Sequence, residues 1–161
     1  MILFDIETTG LNPIKSTLLT IQIKKDSETK IWKLWEEQDE VALIKKFLEF
    51  LKTVNEPLVG YCINGFDLSF VLSKLAVNNQ LTDEIVQLIS SKKWVDLTQF
   101  QENSYGLDNW LEELAIPRQS DVKGRHIPTL YDLKQYDKIV EHAVDDLNAC
   151  EKIIQKLNLK I

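Results

Sequence analysis

Phe4-Asp5-Ile6-Glu7-Thr8-Thr9-Gly10-Leu11 is the stretch on which the reading of this chain turns. It continues Ile2-Leu3, so residues 2–6 read as a buried strand interrupted by an aspartate. Side chains two apart on a strand share a face. Asp5 and Glu7 therefore point the same way from an otherwise apolar strand. Two carboxylates this close repel, and burial penalises both unless something positive neutralises them. A lysine would serve for Asp5, with Glu7 capping a turn. A divalent ion would serve for both, and hard oxygen donors suit Mg²⁺ or Mn²⁺. On two residues alone both readings stand, and the choice depends on whether further acids converge here.

Outward from this strand, Thr17 to Lys24 and Lys30 to Trp35 alternate in part, with a turn at Lys25-Asp26-Ser27-Glu28. Together they predict three antiparallel strands at the start of the chain. Asp39 to Lys52 carries Val41, Leu43, Ile44, Phe47, Leu48 and Leu51 at helical spacing, with Asp39 as N-cap. A short strand is expected at residues 57–61, helices over 66–77 and 82–90, and a short strand at 94–97. A further helix is expected over 106–115, and a long last one from Tyr136 to about Leu157. Residues 118–128 read as a polar loop. Strands first, then strands alternating with helices, predict an α/β fold with a mixed sheet flanked by helices, three antiparallel strands followed by parallel ones.

Two further acids are candidates to join Asp5 and Glu7. Asp67 falls where a short strand ends in Gly60-Tyr61-Cys62-Ile63-Asn64-Gly65 and a helix begins. An acid there is ordinarily a helix cap. In the last helix, Val140, Ala143, Leu147, Cys150, Ile154 and Leu157 form an apolar stripe. This places Asp146 at the edge of the stripe, one turn after His142. Asp145 falls with Glu141, Asn148 and Lys152 on the face expected to be solvated, so its loss is expected to leave function intact. His142 is either a surface histidine or a general base beside the acids.

Of the 161 residues, 44 % are hydrophobic and 27 % charged, the balance of a globular chain long enough for one domain over residues 1–161. No apolar run is long enough to cross a bilayer, and no leader is expected before the first strand. Two cysteines are too few for a disulfide framework, so a reduced, cytoplasmic setting is expected. A net charge of −6 opposes a general phosphate-binding surface. Divalent ions held by the acids would reverse that sign locally.

With these residues in place, the chain resembles the DEDD (DnaQ-like) 3′–5′ exonuclease superfamily, which has a ribonuclease-H-like fold. Residues Phe4 to Leu11 resemble its first motif, Asn64-Gly65-Phe66-Asp67 its second, and His142 to Asp146 its third. Ile127-Pro128-Thr129-Leu130-Tyr131 with Val140-Glu141-His142 resembles the YprB-type branch, related to the exonuclease domains of family-B polymerases. The resemblance implies a 3′–5′ exonuclease acting on single-stranded DNA or RNA ends by two-metal hydrolysis. Asp5 would bridge two Mg²⁺ or Mn²⁺ ions, Glu7, Asp67 and Asp146 would complete the shells, and His142 would take a proton from the attacking water. It also implies contacts to the terminal nucleotide from Thr8, Thr9, Leu11, Asn64 and Phe66, with Leu11 as a wedge.

Two departures bear on these roles. His142 stands four residues before Asp146, the spacing of members that carry tyrosine there, and Asn64 lies three before Asp67 where four or five is usual. The loop Arg118 to His126 is the most basic stretch and a candidate for phosphate contact, as much as an ordinary solvated loop. A core of this size is expected to work as a homodimer or with an accessory protein. A structure-selective endonuclease and a non-catalytic nucleic-acid-binding module are the alternatives, and keeping four mutually repelling acids speaks against the second.

Overall fold

A computed structural model describes residues 1–102 and 106–161 of the chain. Among these residues five strands form one sheet: β1 (Ile2–Thr8), β2 (Leu18–Lys25), β3 (Glu28–Lys33), β4 (Leu58–Gly60) and β5 (Trp94–Asp96). Their order across the sheet is β3-β2-β1-β4-β5. β1, β2 and β3 are antiparallel, and β4 and β5 run parallel to β1. This is the mixed sheet expected from the strand pattern. The acid-bearing strand is its centre.

Among the described residues, six helices flank the sheet: α1 (Glu40–Thr53), α2 (Leu68–Val77), α3 (Asp83–Ser90), α4 (Leu107–Glu113), α5 (Ile127–Asp132) and α6 (Tyr136–Lys156). Asp39 caps α1, its carboxylate accepting the Ala42 N–H at 2.8 Å. Residues 118–128 are not wholly a loop. Pro128 sits in the first turn of α5, which buries Ile127 and Leu130. Pro is well suited to that position because the missing N–H has no helical partner there. With only two buried residues, the helix carries too short a pattern for periodicity to reveal.

Strand alternation divides the core into two layers. Ile2, Phe4 and Ile6 face α1 and α2, where Phe4 stacks on Phe47 with ring centroids 4.9 Å apart. Leu3 faces the opposite way, into a cluster of Val59, Val95, Trp110, Leu111, Leu147, Cys150, Ile153 and Ile154. Asp5 and Glu7 share the Leu3 face, so the strand's period of two delivers both acids under α6. β4 approaches β1 so closely that a Cβ on Gly60 would stand 2.5 Å from the Phe4 carbonyl oxygen, a contact only glycine avoids. Among the described residues, no helix is long and apolar enough to cross a membrane.

Candidate active site

The C-terminal ends of β1 and β4 open onto a cavity of about 780 Å³, lined by Asp5, Glu7, Asp67, His142 and Asp146 among others. Ligand sites of open α/β sheets form at such strand ends. The cavity gathers all four candidate acids, from a strand, a turn and a helix.

Asp5 is held from β2. It stands opposite Gln22, whose Nε2 donates to Asp5 Oδ2 at 2.5 Å. The Thr20 hydroxyl donates to Gln22 Oε1 at 2.7 Å, which fixes the amide with its NH₂ toward the acid. Thr20 and Gln22 are both fully buried. Glu7 is 6 % exposed, and its Oε1 has no hydrogen-bond partner. Asp67 ends a wide turn over Ile63–Asp67 that runs into α2. It is 2 % exposed and makes no side-chain cap, so the ordinary role of an acid at a helix start does not account for it.

Asp96, at the end of β5, shapes that turn. Its carboxylate accepts the N–H groups of Cys62 and Asn64, each at 3.0 Å, and the N–H and hydroxyl of Thr98. Cys62 adopts a left-handed conformation with φ 61°. Because Asp96 is 29 residues beyond Asp67 and holds the turn through backbone N–H groups, no local sequence pattern marks it.

The last helix corrects the expected facing of Asp145. Asp145 is not solvated but 3 % exposed, and Asp146 is the half-buried one. The apolar stripe underestimates the buried arc of α6 because segment 116–122 covers a second side of the helix. Gln119 N–H donates to Asp145 Oδ1 at 3.0 Å. Arg118 binds Asp145 at 3.2 Å, Asp146 at 2.5 Å and Asp108 of α4 at 2.6 Å. The most basic loop thus spends its first cation on acids inside the protein. Lys123 also pairs with Asp108, at 3.2 Å, and Arg125 is the loop cation that lines the cavity.

The expected nucleotide contacts separate into two groups. Thr8, Leu11 and Phe66 line the cavity. Leu11 is 83 % exposed at its rim, and Phe66 leans on Phe70. Thr9 and Asn64 are not among the lining residues. The Thr9 hydroxyl accepts the Thr17 N–H at 2.7 Å and closes the turn after β1, while Asn64 is exposed and gives its backbone N–H to Asp96.

Burial and mutual repulsion act together on the acids of the cavity. Burial pushes the Asp5 carboxyl well above the usual aspartate range, with the Asp146 charge adding to it and the Gln22 hydrogen bond opposing. Burial raises Glu7 and Asp67 in the same way, each helped by the Asp5 charge. Burial also raises the Cys62 and Cys150 thiols, which keeps both as inert neutral groups. The residues present fit a divalent cation. Glu7, His142 and Asp146 each offer a donor atom within 4.8 Å of the others. Glu7 Oε1 and His142 Nδ1 are buried without a partner. A native interior leaves few such atoms unpaired without a reason.

Sheet order, helix placement and a carboxylate-lined cavity at the strand ends define an α/β ribonuclease-H-like fold. The sequence profile of the RNase_H superfamily matches residues 2–158, and the chain belongs to that superfamily. Membership supports a nuclease-type function. The fold is similar to that of a family B DNA polymerase from the hyperthermophilic archaeon Pyrobaculum calidifontis, with a TM-score of 0.76 over 97 % of this chain at 18 % identity. The chain spans 24 % of the length of that polymerase. The RNase_H superfamily match and this fold agree with the ribonuclease-H-like fold that the motifs implied. No curated protein sequence matches the chain.

Proposed function

We propose that the protein is a metal-dependent 3′–5′ exonuclease that hydrolyses phosphodiester bonds at the ends of single-stranded nucleic acid. The observation that carries this reading is the convergence of Asp5, Glu7, Asp67 and Asp146 on one cavity, with a buried carboxylate oxygen of Glu7 left unpartnered. Two Mg²⁺ or Mn²⁺ ions held there would supply a nucleophile near neutral pH and stabilise charge on the phosphate.

The chain's own residues would orient the substrate. Gln22 holds one oxygen of Asp5 and so orients the carboxylate that lines the cavity. Asp96 sets the turn that presents Asp67. Arg125 lines the cavity and would meet a phosphate of the substrate strand, a contact that positions without reading sequence. Leu11 and Phe66 offer apolar surface to the terminal base, and stacking on such surface tolerates any base. The cavity volume lies within the range of pockets that hold small molecules, which favours a single chain end over a duplex.

The test is cleavage of 5′-labelled single-stranded DNA and RNA of one sequence, with Mg²⁺, Mn²⁺ or EDTA. The expected result is a metal-dependent ladder shortening from the 3′ end, absent in Asp5→Asn and Asp67→Asn. Products cut internally would favour an endonuclease. No cleavage of either strand by a folded, metal-bound protein would sink the reading.

A further inference from the structure

We propose that Glu7, His142 and Asp146 form a mixed nitrogen and oxygen site for a divalent transition-metal ion, with the imidazole as a ligand, so that this centre takes Mn²⁺ in preference to Mg²⁺. The ligand set implied by the motifs is four carboxylates, with the histidine as proton acceptor. The structure places the imidazole among the donors instead. His142 is 3 % exposed and sits one turn before Asp146 on α6. Its Nε2 lies 3.8 Å from Glu7 Oε1, and its Nδ1 lies 3.7 Å from Asp146 Oδ1.

These distances decide between uses of the ring. They are too long for hydrogen bonds, so ring and carboxylates do not satisfy one another. Both Glu7 Oε1 and His142 Nδ1 are in fact unpartnered. Two donors each about 2.0–2.2 Å from one ion can stand up to roughly 4.4 Å apart. Nδ1, the unpartnered ring nitrogen, is the one that binds: its 3.7 Å separation from Asp146 Oδ1 is what a shared ion spans, and the triad offers one donor atom each within 4.8 Å of the others. Asp146 Oδ1 also accepts from Arg118 Nη1. A carboxylate oxygen has two lone pairs, so a guanidinium and an ion can share it.

The nitrogen sets the selectivity. Mg²⁺ prefers an all-oxygen octahedron, whereas imidazole suits first-row transition ions. A ring nitrogen that binds an ion has no lone pair left for a proton. The site requires a metal centre at the cavity and no cleavage of any kind, so it stands apart from the exonuclease reading.

The experiment uses Mn²⁺ alone as the probe. Pulsed EPR of the Mn²⁺-loaded protein is expected to show nitrogen coupling of an imidazole ligand. The coupling should vanish in His142→Gln, which keeps the buried volume, and persist in His126→Gln, which alters the chain's second histidine. Calorimetry should show His142→Gln losing about tenfold or more in Mn²⁺ affinity, the scale on which groups at metal sites act. For Mg²⁺, which gains little from nitrogen, the loss should be about twofold or less. Mn²⁺ bound without nitrogen coupling would overturn the proposal, as would no Mn²⁺ binding or equal losses for both ions. A nitrogen-coupled Mn²⁺ signal in a protein that cleaves neither DNA nor RNA would end the exonuclease reading and keep the site.

Discussion

Replacing Arg118 with methionine keeps the apolar stem and removes the charge that ties three acids together. The size of the effect follows from exposure. The Arg118 side chain is 14 % exposed, and its partners Asp145, Asp146 and Asp108 are 4 %, 17 % and 45 % exposed. The Asp108 pair is close to solvent and is worth about 0–1 kcal/mol. The other two are desolvated, and removing one partner of a buried pair costs about 3–5 kcal/mol. Asp145 keeps the Gln119 N–H, so the lower end applies and the expected loss is about 3 kcal/mol. For a chain of this length that lowers Tm by about 6–12 °C.

Urea unfolding followed by tryptophan fluorescence would measure it, in EDTA and with saturating Mn²⁺. The loss should be full in EDTA and smaller with the ion, because the ion then neutralises Asp146 in place of Arg118. A loss under about 1 kcal/mol in EDTA would refute the reasoning, since the guanidinium would then be behaving as a surface group.

The raised carboxyls of Asp5, Glu7 and Asp67 predict a pH dependence. Unfolded, these groups ionise near the ordinary values of 3.8 for aspartate and 4.5 for glutamate. Above those values the folded state holds more protons than the unfolded one, so stability falls as pH rises through the raised folded values. In EDTA, Tm should therefore decline from about pH 5 to about pH 8, and less steeply in Asp5→Asn. Mn²⁺ should remove the decline, because its affinity grows as the ligands deprotonate. A metal-free Tm that rises across this range would contradict the burial of the three acids. Gln22→Leu should weaken Mn²⁺ binding by about tenfold, the low end of what a charge-assisted hydrogen bond contributes, with the protein still folded. Unchanged affinity by calorimetry would show that Gln22 does not position Asp5.

Much of the fold was legible because it rests on short-range periodicity. The period of two through Ile2-Leu3-Phe4-Asp5-Ile6 placed Asp5 and Glu7 on one face, and the hairpin and the α1 cap followed from local residue chemistry. The convergence of acids was legible as motifs in a familiar order, although the sequence could not bring them together in space. What it misjudged depended on which segments cover which faces. Asp145 falls on the polar side of its own helix, yet segment 116–122 folds over it, and a helical pattern carries no record of a loop that arrives from elsewhere.

The residues that steady the site were invisible for the same reason. Thr20 and Gln22 were only polar positions in an alternating strand until pairing set Gln22 opposite Asp5. Asp96 and Arg118 act across 34 and 28 residues of chain. Composition, alternation and capping are local, so the sequence by itself determined the elements and the identity of the acids. Register, burial and the partners of each charge arise when distant segments exclude water from one another, and those only the tertiary structure decided.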